Sequence, residues 1–163
     1  MSGRRLHPAP LSAAAFAPFG EVLSAEGAHD RLINAGRCAR FHDRAALDFG
    51  DGRAGVSIFR SEPVALPYAF DLLERHPQGS QAFLPMAAEP FLVIVAPDAG
   101  GRPGPPLAFV AAPGQGVNYR RGVWHGVLAP LGPAGLFAVV DRIGPGANLE
   151  EHRLATPWTV AAP

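Results

Sequence analysis

The stretch Tyr68-Ala69-Phe70-Asp71-Leu72-Leu73-Glu74-Arg75-His76-Pro77-Gln78-Gly79-Ser80-Gln81-Ala82-Phe83-Leu84-Pro85 reads as a strand, a turn and a returning strand. Successive side chains of a strand point to opposite faces. Over 68–76 the even positions Tyr68, Phe70, Leu72, Glu74 and His76 therefore share a face, three apolar groups followed by a carboxylate and an imidazole. The apolar members are expected to mark the inside of a closed sheet, with Glu74 and His76 at its inner end near a mouth. Pro77-Gln78-Gly79-Ser80 has turn composition. Gln81 then opens the returning strand, where it can lie beside Glu74 and His76. An acid and an imidazole in such a place cost free energy unless they are paired, hydrogen-bonded or bound to a metal.

A second polar stretch lies downstream, Gly114-Gln115-Gly116-Val117-Asn118-Tyr119-Arg120-Arg121-Gly122-Val123-Trp124-His125. If extended throughout, it places Val117, Tyr119, Arg121, Val123 and His125 on one face. Gly122 is able to break that parity, which leaves the facing of Arg121 relative to His125 open. Elsewhere the pattern gives strands at 20–23, 31–41 with a break near Gly36, 54–60, 91–96, 107–112, 123–128 and 136–142. Phe91-Leu92-Val93-Ile94-Val95 is apolar without alternation, as in a strand buried on both faces. Residues 98–106 form a Gly/Pro-rich connection. One short helix is expected near the N-terminus over 12–17, capped by Ser12 and stopped by Pro18. Many short strands and a single helical pattern predict an all-β fold, an antiparallel barrel or sandwich.

The chain has 163 residues, which fits one domain over 1–163. Hydrophobic residues make up 48% and charged residues 17%, enough for a substantial core. The 19 Gly and 18 Pro are spread between apolar runs, a turn-rich pattern and not a disordered one. A net charge of zero argues against nucleic-acid binding through a general positive field. All 14 basic residues are Arg. Lysine Schiff-base chemistry, lysine-anchored pyridoxal phosphate and an ordinary phosphate-binding loop are thereby excluded, and no organic cofactor is expected. Guanidinium groups remain, and they suit planar carboxylates. Cys38 stands alone, so no intrachain disulfide forms and a reducing compartment is expected. Arg4-Arg5 and the Ala-rich stretch after it resemble a secretory signal, but Pro8, Pro10 and Pro18 interrupt it. No segment has the roughly 18–20 apolar residues of a membrane span. A soluble, cytoplasmic protein with no membrane partner is expected.

The two polar stretches are similar to the paired signatures of cupins. Glu74-x-His76-x4-Gln81 matches the first, and Gly114-x5-Arg120-x-Gly122-x2-His125 the second, with Arg120 in the usual Pro position. This resemblance implies a cupin-like double-stranded β-helix with Glu74, His76, Gln81 and His125 as potential metal ligands. Longer strings resemble the ureidoglycolate lyase family (also called ureidoglycolate hydrolase or ureidoglycolase). They include Phe16-Ala17-Pro18-Phe19-Gly20-Glu21-Val22, Ile33-Asn34-Ala35-Gly36, Arg40-Phe41-His42-Asp43, Ser57-Ile58-Phe59-Arg60, the run from Leu73 to Met86, Gly114 to Tyr119, Gly122-Val123-Trp124-His125 and Val140-Asp141-Arg142. Two departures stand out. Arg120 follows Asn118-Tyr119 where the family usually has His, and Gly126 follows His125 where a second His is usual.

The family resemblance implies cleavage of (S)-ureidoglycolate to glyoxylate and urea, a step of allantoin degradation, by a homodimer. An open sheet edge or an exposed apolar strand such as 91–96 gives a physical motive for pairing. The reaction needs a base for the hydroxyl proton, an acid for the departing nitrogen and a partner for the carboxylate. Glu74, His76, Gln81 and His125 are expected to bind a divalent metal, nickel by family analogy, or to act as a hydrogen-bonding cluster in its place. His76 or His125, if unligated, is a candidate base. Tyr119 is a candidate acid. Arg60, Arg121 and Arg142 are candidate carboxylate partners, Asn34 a candidate for the ureido group, and Asp141 either a site acid or a partner that orients Arg142. The alternatives are a metal-dependent cupin isomerase or hydrolase of another small hydroxy or ureido acid, and a barrel that binds a small acid without turnover.

Overall fold

A computed structural model describes residues 4–162 of the chain. The ends of the expected 1–163 domain, residues 1–3 and 163, lie outside the described residues. An eight-stranded sheet runs in the order β1 (Arg4–Leu6), β15 (Glu150–Val160), β7 (Tyr68–Arg75), β12 (Trp124–His125), β9 (Phe91–Ala96), β10 (Leu107–Ala111) and β2 (Ala9–Pro10), and β13 (Ala129–Pro130) also pairs with β9. A five-stranded sheet runs β3 (Gly20–Leu23), β11 (Gly116–Tyr119), β8 (Gln81–Pro85), β14 (Leu136–Ile143) and β6 (Arg53–Arg60). A separate hairpin pairs β4 (Arg31–Ile33) with β5 (Cys38–Arg40). The ladders are antiparallel except where β1 and β2 join β15 and β10 in parallel. This is the expected all-β, cupin-like barrel. Its helix, α1 (Ala13–Phe16), is capped by Ser12, whose hydroxyl accepts from the amide of Ala15.

Strand alternation divides the core in two. Phe91, Val93 and Val95 on β9 face inward and pack with Phe16, Phe83, Val117, Tyr119, Phe137 and Val139 between the sheets. Leu92, Ile94 and Ala96 face the other way and pack with Phe70, Leu73, Ala108 and Trp124 on the outside of the eight-stranded sheet. Every residue of β9 is buried, as the unbroken apolar run predicts. That strand is therefore no exposed surface for pairing. The exposed apolar strand is β6, at an edge of the five-stranded sheet, where Val56 and Ile58 are 71% and 59% exposed.

Three other features differ from the sequence pattern. Tyr68 and Phe70 do not share the inner face with Glu74. They pack against the outer cluster together with Leu73. The same part of β7 faces an irregular ladder, in which β15 advances from Arg153 to Trp158 while β7 moves only from Leu72 to Phe70. The 31–41 segment breaks near Gly36 as expected, into β4 and β5 around a turn in which Asn34, Ala35 and Gly36 have φ of 54°, 57° and 81°. The 123–128 segment is shorter than expected, ending as β12 after two residues. Finally, β15 has no counterpart in the sequence pattern. Its eleven residues include Pro157 and are mostly exposed, so neither alternation nor an apolar run marks it.

The division between inner and outer positions is measurable. Phe91→Ala removes a ring that is 1% exposed and is expected to cost about 3–5 kcal/mol in urea unfolding. Met86→Ala, at a residue that is 54% exposed, is expected to stay within about 0.5 kcal/mol of the parent.

Candidate functional site

The inner face carries one polar group of side chains at the end of β7. Glu74 lies directly opposite His125 in the β7–β12 ladder, and His125 lies opposite Val95 of the inner core. Directly paired residues point to the same side of a sheet, so the carboxylate and the imidazole both face the interior. His76 follows two residues after Glu74, at the start of the turn. Its carbonyl accepts from the amide of Gly122 at 2.9 Å, which holds this turn to the loop before β12. Glu74, His76 and His125 each offer a ligand atom, and these three atoms lie within 4.8 Å of one another.

The two imidazoles are held in matching ways. Nδ1 of His76 lies 2.7 Å from the carbonyl of Asn148. Nδ1 of His125 lies 3.0 Å from the carbonyl of Gly126. A carbonyl only accepts, so each Nδ1 carries the hydrogen, and in the neutral ring the lone pair lies on Nε2. Both Nε2 atoms are buried with no hydrogen-bond partner among the described residues. The ring of His125 lies flat on that of Tyr119, centroids 4.3 Å apart and planes 6° from parallel. Burial pushes the His125 imidazole down to about 3, outweighing the carbonyl of Gly126, and the nearby His76 adds to the fall. His125 therefore stays neutral near pH 7. Burial also raises the Glu74 carboxyl, with His76 opposing and Glu151 adding to the rise. Burial, with the charge of Glu74, raises the Tyr119 phenol, which remains a donor.

Two nitrogen lone pairs and a carboxylate, with both imidazoles tied behind through Nδ1, form a donor set that suits a divalent transition ion. Orphaned buried nitrogens of this kind are costly unless a ligand completes them. Gln81 sits on the facing sheet and not beside this triad in a strand pair. In register it lies between Tyr119 of β11 and Asp141 of β14. Its Nε2 donates to Oδ2 of Asp141 at 3.1 Å, and its buried Oε1 has no partner among the described residues.

The remaining candidates are placed elsewhere. Asn34 is exposed at the tip of the β4–β5 turn. Arg60 is exposed on β6 and shares its face with Val56 and Ile58. Arg142 alternates with Asp141 and so leaves the inner face. Its guanidinium is buried, donating to Asp51 at 2.5 Å and to the carbonyl of Pro145 at 3.1 Å. Gly52, Gly79 and Gly144 line that side chain, and an added Cβ at any of them would come within 3.0 Å of it. Arg121 is half-exposed and donates to Asp48 at 2.7 Å. It stands one residue before the Gly122 amide that binds the carbonyl of His76.

Two further residues hold polar groups here: Asp141, for which the sequence left open a site acid or a partner of Arg142, and Asn148, which it did not mark. Asp141 orients Gln81 and not Arg142. Its signal was its place two residues after Val139, on the stripe with Phe137 and Val139, which are both buried. Asn148 orients His76 through its carbonyl and receives the Gln78 amide on Oδ1 at 2.8 Å. No local pattern marks it. An apolar cavity of about 430 Å³ lined in part by Leu23, Phe41, Leu47, Leu84 and Val140 lies on the outer side of the five-stranded sheet and does not include the triad.

The family model for ureidoglycolate lyase matches residues 3–161. The chain is 59% identical to a ureidoglycolate lyase of Rhodobacter capsulatus, over 96% of this chain and 98% of that protein. It is 54% identical to one of Rhizobium etli over 94% of each, and 50% identical to one of a Chelativorans species over 98% of each.

The hydrogen-bond pattern makes a spectroscopic prediction. Long-range 1H–15N correlation of the metal-free protein at pH 7 is expected to show His125 as a neutral Nδ1–H tautomer and His76 with a hydrogen on Nδ1. An Nε2–H signal from His125, or a bare Nδ1 on His76, would contradict the arrangement.

Proposed function

The chain belongs to the ureidoglycolate lyase family, and we propose that it cleaves (S)-ureidoglycolate to glyoxylate and urea at the Glu74, His76 and His125 cluster. One observation carries the placement: two buried Nε2 lone pairs and a carboxylate oxygen converge within 4.8 Å on the inner face. The substrate is a carbinolamine bearing a carboxylate. Its hydroxyl gives up a proton, the carbon–oxygen double bond forms, the carbon–nitrogen bond breaks, and the urea nitrogen takes up a proton. Neither a nucleophile nor a redox step is required.

Glu74, His76 and His125 would hold a divalent ion, nickel by the family reading. When bound, that ion supplies positive charge for the hydroxyl and carboxylate oxygens of the substrate. A carboxylate has two oxygens, so Glu74 can hold the ion with one and accept the hydroxyl proton with the other. Tyr119 keeps its phenolic proton and donates toward the departing nitrogen. The amide of Gln81 is fixed by Asp141, which leaves Oε1 to accept from the ureido N–H groups. Arg121 is the arginine we assign to the substrate carboxylate, because it precedes the Gly122 amide that binds the His76 carbonyl and a guanidinium has donors beyond the one given to Asp48. Asn34, Arg60 and Arg142 carry no part in this reading.

We read the working form as a homodimer that covers β6 and the neighbouring face of the five-stranded sheet, where Val56 and Ile58 are exposed beside an open edge. Light scattering is expected to give twice the chain mass, and Val56→Arg with Ile58→Arg to give a monomer. A lone cysteine fits a cytoplasmic setting. Among the described residues no helix is long and apolar enough to cross a membrane.

A urea-release assay with (S)-ureidoglycolate tests the activity. The parent protein is expected to turn over, to lose activity on dialysis against a chelator, and to regain it with Ni2+. His125→Ala is expected to fold, by circular dichroism, and to lose at least about 10²-fold in kcat. Near-parental turnover in that variant would remove the site.

A further inference from the structure

The strand pair that carries the site has a second face, and a charged cluster occupies it. Alternation turns Arg75 away from Glu74 and His76, and turns Trp124 away from His125. Because Glu74 and His125 are directly paired, Arg75 and Trp124 are directly paired as well, behind them. The Arg75 guanidinium lies over the indole, 4.4 Å from the ring centroid. Its Nε donates to Glu150 at 2.6 Å and its Nη1 to Asp98 at 3.0 Å. The same Oδ1 of Asp98 accepts from Nε1 of Trp124 at 2.9 Å. Oδ2 of Asp98 accepts from the amide of Gly101, which anchors the carboxylate to its own loop.

One side chain thus ties together four segments: β7 through its own backbone, β12 through the indole, β15 through Glu150, and the end of β9 through Asp98. A two-residue strand has few ladder bonds with which to hold its register. The contacts behind β12 do what its own length cannot. Arg75 is only 20% exposed at its side chain, so these contacts are sheltered from solvent more than a free surface pair. The stack over Trp124 also requires a planar cation, which a lysine would not reproduce.

We propose that Arg75, with Asp98 and Trp124, is a positioning device that sets the Nε2 of His125 against Glu74 and His76 from the far side of the sheet. This rests on the reading of that triad as the reaction site. Arg75 touches neither substrate nor metal in this scheme. Its effect passes through the β7–β12 register.

The test compares Arg75→Met, Arg75→Lys and Asp98→Asn with the parent, well below the melting temperature of each. Loss of an outer support of this kind is expected to lower kcat about 10–100-fold for Arg75→Met, with KM within about 3-fold. Ni2+ affinity measured by calorimetry on the metal-free protein is expected to fall by a similar factor. Arg75→Lys is expected to remain impaired. Asp98→Asn, which keeps shape and removes charge, is expected to shift the same readings in the same direction and serves if Arg75→Met does not fold. The imidazole signals of His125 and His76 are expected to broaden or double in the variants. Parental kcat, Ni2+ affinity and imidazole signals in Arg75→Met and Asp98→Asn, with only a lower melting temperature, would overturn the proposal. If the parent itself releases no urea, the lyase reading fails, while the imidazole comparison still decides the role of Arg75.

Discussion

The register between β7 and β12 is the constraint on which the site depends. Only two residues, Trp124 and His125, belong to β12, yet they sit between two longer strands. Pairing His125 with Glu74 on one side and with Val95 on the other sends the imidazole into the inner core. A slip of one residue would exchange the faces, turning His125 outward and Trp124 inward. The site and the packing of the indole are therefore two consequences of a single alignment. The barrel reinforces it from both directions, through the Tyr119 ring stacked on His125 in front and the Arg75 guanidinium stacked on Trp124 behind.

Within that alignment three polar atoms are left for a ligand to meet. Nε2 of His76, Nε2 of His125 and Oε1 of Gln81 are all buried without partners among the described residues. Each such atom costs roughly 1–3 kcal/mol in lost hydrogen bonding. The neighbouring atoms show that this is a directed arrangement: the Nδ1 atoms and the Gln81 amide nitrogen, the opposite ends of the same three groups, are all satisfied. Fixing one end of a polar group and leaving the other free aims its lone pair. A ligand that brings positive charge or N–H donors would meet all three. The apolar core around it, from Phe16 to Phe137, supplies the rigidity that keeps the groups from turning to satisfy one another.

How far this was legible in the sequence follows from the range of the interactions. Strands 20–23, 81–85 and 91–96 were readable to the residue because alternation or an apolar run is a local property. The convergence of Glu74, His76 and His125 was readable through two spacings, each internal to one stretch. What failed depended on partners far along the chain. The stripe from Tyr68 to Glu74 breaks where β15, some eighty residues later, pairs irregularly with it. The strand partners of Gln81 were not readable for the same reason: the turn delivers it to the facing sheet, between Tyr119 and Asp141, which holds its amide. The arginines were ranked by residue type alone. Residue type could not reveal that three glycines and Asp51 enclose Arg142, or that Arg60 stands on an outer face.

The two departures from the usual family pattern become intelligible on the same grounds. Arg120 alternates with Tyr119 and therefore leaves the inner face. Its Nε lies 3.7 Å from Oε1 of Glu21, whose Oε2 accepts from Asn118, another outward-facing residue of that segment. Gly126 alternates with His125. A Cβ added there would meet the side chain of Ile94, 3.1 Å away, in the outer cluster. Both positions thus look away from the Glu74, His76 and His125 triad, so the two missing imidazoles take nothing from its ligand atoms. Their replacement alters the surroundings of Glu21 and of Ile94 instead. A chain can change those positions and keep the chemistry of the inner face, because the period of a strand separates what faces the hollow from what does not.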